Sequence, residues 1–140
     1  MFGDSEDILG LETTPEMRAA SDLLMKSAEA IAGYSLPLKK AESTCALKCF
    51  SSIHDHWNMS TAEKTKVMDC IERCEEPMEM VVDMVETERS SLIEAAVTCL
   101  ERCEENDEAC ANKCITQCLT IERVDSMVDR VRAKIDSFRF

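Results

Sequence analysis

The stretch CALKC at 45–49, with its echoes CIERC at 70–74, CLERC at 99–103 and CANKC at 110–114, decides how this chain folds. Cys118 repeats the same interval, so all nine cysteines follow it. Residues four apart lie on one helix face, one turn above the other, with Cβ atoms about 5–6 Å apart. A disulfide needs Cβ atoms about 3.5–4.5 Å apart, so bonding within a pair would distort its helix. Two antiparallel helices that each carry a pair can instead form two stacked bonds, first cysteine to fourth and second to third. That predicts Cys45–Cys74 with Cys49–Cys70 across the 20 residues between Cys49 and Cys70. It also predicts Cys99–Cys114 with Cys103–Cys110 across the six residues from Glu104 to Ala109. A second register, Cys103–Cys114 with Cys99–Cys118, is also open to the spacing. It frees Cys110, where the first frees Cys118.

Helix axes normally stand about 8–10 Å apart, too far for disulfide Cα atoms at about 4.4–6.8 Å. Small residues must let the helices approach, and Ala46, Ala95, Ala96, Ala109 and Ala111 lie beside or one turn from the cysteines. The rival chemistry is metal. C-x3-C falls within the ligand spacing of structural zinc, and each hairpin offers four thiolates. A reducing cytosol favours zinc and an oxidising compartment favours disulfides. The helical setting favours disulfides, because zinc modules usually place their ligands on knuckles and short ribbons. Redox catalysis is disfavoured, since the spacer is not the C-x-x-C of thioredoxin-like enzymes and no strand-helix-strand pattern surrounds it.

Composition bounds the rest. The chain has 140 residues, three glycines, three prolines and 4% aromatics, poor material for a sheet. It reads as all-α: two disulfide-stapled antiparallel helical hairpins with flanking N- and C-terminal amphipathic helices. The formal charge of −12 argues against nucleic acid, whose phosphates would repel such a surface. No apolar run approaches the roughly 20 residues needed to span a bilayer, so any membrane association is peripheral. The opening residues carry Asp4, Glu6, Asp7 and Glu12 and no cation before Arg18. That is the wrong sign for a mitochondrial presequence and too polar for a secretory signal.

Three segments follow. Residues 1–13 form an acidic arm, 14–37 an N-terminal amphipathic helix with its link, and 38–140 the cysteine-paired helical domain. Thr14-Pro15-Glu16 is a helix start, a capping hydroxyl followed by proline. The helix runs to Ile31 or Ala32 and stops at Gly33, with Met17, Ala20, Leu24, Ile31 and Tyr34 as its stripe and Ser27 as a weak spot. The next helix, Leu38 to about Ile53, carries the first thiol pair. His54-Asp55-His56-Trp57-Asn58 follows as a polar turn, with Trp57 expected to cap the hairpin core. The two histidines are read as solvated rather than metal-binding. Ser60-Thr61-Ala62-Glu63 fits a capping box.

Pro77 either begins a new helix or kinks a continuous one near Arg73. From Met78 to Cys103 the chain is rich in methionine, which suits adaptable core packing or the binding of hydrophobic clients. Glu104–Glu108 lacks the glycine and the frame of a calcium loop and reads as solvated surface. The final helix is expected to carry Cys110, Cys114 and Cys118 to the C-terminus. Ile121, Val124, Val128, Val131, Ile135 and Phe138 form a heptad seam on it, beside a basic run ending at Arg139. Leu24, Ile31, Val124, Val128, Val131, Ile135 and Phe138 are thus the residues expected to bind a partner. That partner is either the N-terminal helix or another protein.

CIERCEEP at 70–77, followed by a long helix to a third and a fourth C-x3-C pair and a basic tail, resembles one family. It is similar to the twin C-x3-C proteins called "family with sequence similarity 136", or domain of unknown function 842, over about residues 40–135. The chain departs from that pattern in its short Glu104–Ala109 turn, in Cys118 and in its acidic N-terminal extension. The resemblance implies the mitochondrial intermembrane space, entered without a presequence and retained by oxidative folding. It implies no settled biochemical activity. More distantly, the plan is similar to that of the small translocase chaperones, which carry a single twin pair.

No paired acid and base, phosphate loop or Ser/His/Asp arrangement is visible, and no cofactor motif. The expectation is a non-enzymatic accessory subunit of an inner-membrane respiratory or ATP-synthase assembly, bound to its protein subunits. A carrier for hydrophobic precursors and a zinc-binding module are the alternatives.

Overall fold

The computed structural model describes residues 14–138. The expected acidic arm at 1–13, and Arg139 of the basic tail, lie outside them. The described residues form five helices: α1 Pro15–Tyr34, α2 Leu36–Lys48, α3 Thr61–Glu101, α4 Glu108–Cys118 and α5 Ile121–Ser137. The fold is all-α, two stapled antiparallel hairpins flanked by amphipathic helices.

α3 is the spine. Its 41 residues extend about 60 Å at the usual helical rise. It begins at the expected capping box, where the Ser60 hydroxyl accepts from the Glu63 N–H and the Glu63 carboxylate accepts from the Ser60 N–H. It runs unbroken through Pro77, which leaves the Arg73 carbonyl without its usual donor. Neither a fresh start nor an end occurs there. Pro77 does mark the place where one core gives way to another.

Before it, α2 pairs with the first turns of α3 around a small cluster of Cys49, Ile53, Val67 and Cys74. After it, α1, α4 and α5 close on α3 in one larger core that includes Leu24, Ile31, Val81, Ala96, Ile115, Met127 and Val131. α1 and α5 run the same way, both antiparallel to α3. Arg132 of α5 lies over the Tyr34 ring at the end of α1, 4.5 Å from its centroid. At the opposite end the Thr14 hydroxyl donates to Asn112 Oδ1 of α4 at 3.0 Å while accepting from the Met17 N–H.

Several boundaries differ from the sequence expectation. α1 passes through Gly33 to Tyr34, and only Ser35 separates it from α2. Pro37 makes this break, because without an N–H it cannot donate to the Gly33 carbonyl. α2 stops at Lys48, well short of Ile53. Phe50, Ser51 and Ile53 instead donate to carbonyls three residues back, which tightens and then unwinds the chain. α3 ends at Glu101, two residues before Cys103.

The expected single final helix is two, divided at Leu119 and Thr120. Leu119 turns inward, 5% exposed, and the Thr120 hydroxyl caps α5 by accepting from the Arg123 N–H. In the turn before α4, Asn106 takes φ 63°, a left-handed conformation that asparagine tolerates better than most residues.

One ion pair ties α5 to the spine. Arg130 donates from Nε and Nη2 to the two Glu88 carboxylate oxygens, each at 2.7 Å. That two-pronged hydrogen bond is the main reason the Glu88 carboxyl is held below its ordinary value, against the desolvation that opposes it. A depressed carboxyl contributes stability above its unfolded value of about 4.3 and loses it as pH falls through the folded value. Because Arg130 is half exposed, Glu88→Gln is expected to cost only about 0.5–1 kcal/mol at neutral pH. The cost should vanish below the carboxylate range, as followed by urea unfolding at both pH values.

Candidate functional site

The cysteines are the distinctive chemistry, and the structure pairs eight of them. The bonds are Cys45–Cys74, Cys49–Cys70, Cys99–Cys114 and Cys103–Cys110. Their Cα atoms stand 5.6–5.8 Å apart, closer than ordinary packed helices allow. Of the small residues expected to permit this, Ala96 is fully buried and Ala46 and Ala111 are half-buried. Ala95 and Ala109 are exposed and do not line the seam, a correction to that expectation. In each hairpin the bond nearer the turn uses a cysteine just past a helix end, Cys49 after Lys48 and Cys103 after Glu101.

Within each hairpin the diagonal sulfurs nearly touch. Cys49 Sγ is 3.7 Å from Cys74 Sγ, and Cys103 Sγ is 3.9 Å from Cys114 Sγ. The second of these is the rival register, and the structure decides against it. Forming Cys103–Cys114 with Cys99–Cys118 would slide α4 by one turn, about 5.4 Å. That would pull Ile115, 1% exposed, and Leu119 from the core.

Cys118 is accordingly the free thiol, half-buried against the main core. The same bonding disposes of the four-thiolate zinc arrangement, because a sulfur held in a disulfide is not a thiolate. The sulfurs of Cys49, Cys70 and Cys74, and those of Cys103, Cys110 and Cys114, do cluster within 4.8 Å of one another. Here they cluster as crossed bonds.

The seam expected to bind a partner is taken up within the chain. Leu24, Ile31, Val124, Val131 and Ile135 are buried in the main core, and Val128 and Phe138 pack against it half-buried. The residues of α1 and of α5 in this set pack in one shared core, so they do not offer a free surface. Ile121, counted in that seam, is instead 63% exposed on the first residue of α5. Of the methionine-rich segment, Val81 is buried and Met78, Met84, Val85, Leu92 and Leu100 pack on the core, while Met80 and Val82 are exposed.

The sequence reading missed Leu38, Ile115, Leu119 and Met127, all deep in the core. Met127, three residues after Val124 and four before Val131, was detectable by its spacing. Trp57 stands 98% exposed and does not cap the hairpin core; Phe50, Ile53 and Met59 fill that end.

Shallow grooves cross the surface of the described residues. The one at the second hairpin turn, about 560 Å³, has Met17, Leu100 and Ala111 in its lining and Glu104, Glu105 and Glu108 at its edge. No helix of the described residues is long and apolar enough to cross a membrane.

No family model matches the chain, and no curated protein and no solved structure matches it significantly.

Proposed function

We propose that this chain is a non-enzymatic structural protein, a covalently braced helical rod. It works in the mitochondrial intermembrane space as an accessory subunit of an inner-membrane respiratory or ATP-synthase assembly. The observation that carries this reading is the pairing of eight of the nine cysteines into four bonds between helices. Such bonds persist in oxidising compartments and are reduced in the cytosol. The particular compartment rests on the resemblance of CIERCEEP and the four ordered pairs to the "family with sequence similarity 136" proteins.

The brace explains how so few large aromatics suffice. Rigid spacing, rather than chemistry, is what the rod offers an assembly. Its end helices are not the grip, because their apolar faces are already occupied. A partner must engage other exposed apolar residues, such as Leu36, Leu47 and Met68.

Two measurements on native mitochondria test the reading. Alkylation without reductant, in denaturant, should label Cys118 alone and label all nine cysteines after reduction. Sizing of a mild-detergent extract should show the chain co-migrating with a large complex. Nine reactive thiols before reduction would remove the compartment. A small free oligomer crosslinked to hydrophobic precursors would replace the subunit with the carrier.

A further inference from the structure

The tip of the first hairpin is built unlike the rest of the surface. The loop between α2 and α3 turns Ile53 inward and holds Phe50 and Met59 half-buried, Phe50 edge-on to His56 with centroids 5.8 Å apart. Of the large apolar side chains in this loop, only Trp57 is exposed, at 98%. Its backbone N–H donates to Asp55 Oδ1 at 3.1 Å, and the loop begins at Cys49, which is bonded to Cys70 of α3. A large amphipathic ring held clear of its own core is costly in water and suited to a membrane–water interface.

The charges around it agree. From Lys48 to Lys66 the exposed cations Lys48, Lys64 and Lys66 face two carboxylates, Asp55 and Glu63, giving 3 − 2 = +1 in a chain of −12. Both carboxylates are engaged, Asp55 with the Trp57 backbone and Glu63 with the Ser60 N–H. His54 and His56 are the other titratable groups in the loop. At the far end of α3, about 60 Å away, Glu101, Glu104, Glu105, Asp107 and Glu108 surround one cation, Arg102. An anionic surface therefore attracts the tip and repels the opposite end, which orients the rod. A protein anchor residue works inside a ring of contacts that exclude water. This convex tip, edged by Ser51, Ser52 and Asn58, offers no such ring, whereas a deformable lipid interface requires none.

We propose that the first hairpin tip docks on a bilayer surface rich in anionic lipid, with Trp57 as the anchor and Lys48, Lys64 and Lys66 as the attracting charges. This does not depend on the compartment or complex assigned above. Trp57 is the only tryptophan, so its fluorescence reports the tip alone. The oxidised full chain is titrated with phosphatidylcholine vesicles, with and without phosphatidylglycerol.

The emission should move to the blue, and become shielded from an aqueous quencher, only with the anionic vesicles. Each basic residue near such a leaflet strengthens binding about fivefold, so joint Lys48→Glu, Lys64→Glu and Lys66→Glu should weaken it by at least about tenfold. These exposed substitutions leave Trp57 and the disulfides in place. In co-sedimentation, Trp57→Ser should bind several-fold less. Unchanged emission at saturating lipid overturns the proposal, as does an equal shift with neutral vesicles.

Discussion

A chain carrying Cys45→Ser, Cys49→Ser, Cys70→Ser and Cys74→Ser is expected to keep its helical bundle and lose its first hairpin. The small core of that hairpin contains Cys49, Ile53, Val67 and Cys74, so half of its buried members are the cysteines themselves. Ile53 and Val67 contribute about 1.5–3 kcal/mol each by burial, too little to order two helices and a loop. The outer bond spans a sequence separation of 29 and contributes about 3–4 kcal/mol in the chain-entropy account, and the nested inner bond adds less. Without them, amide exchange and proteolysis should become fast between residues 45 and 74. α1, the second half of α3, α4 and α5 should stay protected. The equivalent four serines at Cys99, Cys103, Cys110 and Cys114 should lower Tm without freeing a segment, because Ile115, Leu119 and the Thr14–Asn112 bond still hold α4. Equal behaviour of the two variants would mean that the cores on either side of Pro77 are not separate.

The contrast follows from how the information is distributed in the chain. The staples were legible because i, i+4 spacing is a local geometric fact, and antiparallel helices dictate the order of bonding. Thr14 and Ser60 were legible for the same reason, since each satisfies orphan donors within its own first turn. Cys118 was the expected free thiol and is free, but the spacing alone left Cys110 open as the alternative. The choice depends on the break at Leu119, where a buried leucine and a capping threonine turn the chain, and a continuous heptad pattern hides that break. Trp57 was misplaced because residue type states what a side chain would gain by burial, not whether the loop turns it inward. The Glu88–Arg130 pair lies 42 residues apart and leaves no local trace. The α5 stripe signalled that the helix needed a partner but not that α1 would supply it.

That last point is the one a single substitution decides. Val131 is 0% exposed between Val124 and Met127 on one side and Ile135 on the other, all facing the core shared with α1 and α3. Val131→Asp places a carboxylate there, and none of the buried core residues around it is a cation. An unpaired buried charge belongs to the rare class of substitutions costing more than about 4–5 kcal/mol, a large part of the stability of a domain this size. The purified variant should lose the cooperative melt of its bundle, while the first hairpin keeps both disulfides and its local helix. Met127→Ala, which leaves a void instead of a charge, should cost about 2–5 kcal/mol and lower Tm without abolishing the transition. A seam that bound some other protein would behave in the opposite way. The isolated chain would then melt unchanged with aspartate at this position, and only the assembly would fall apart.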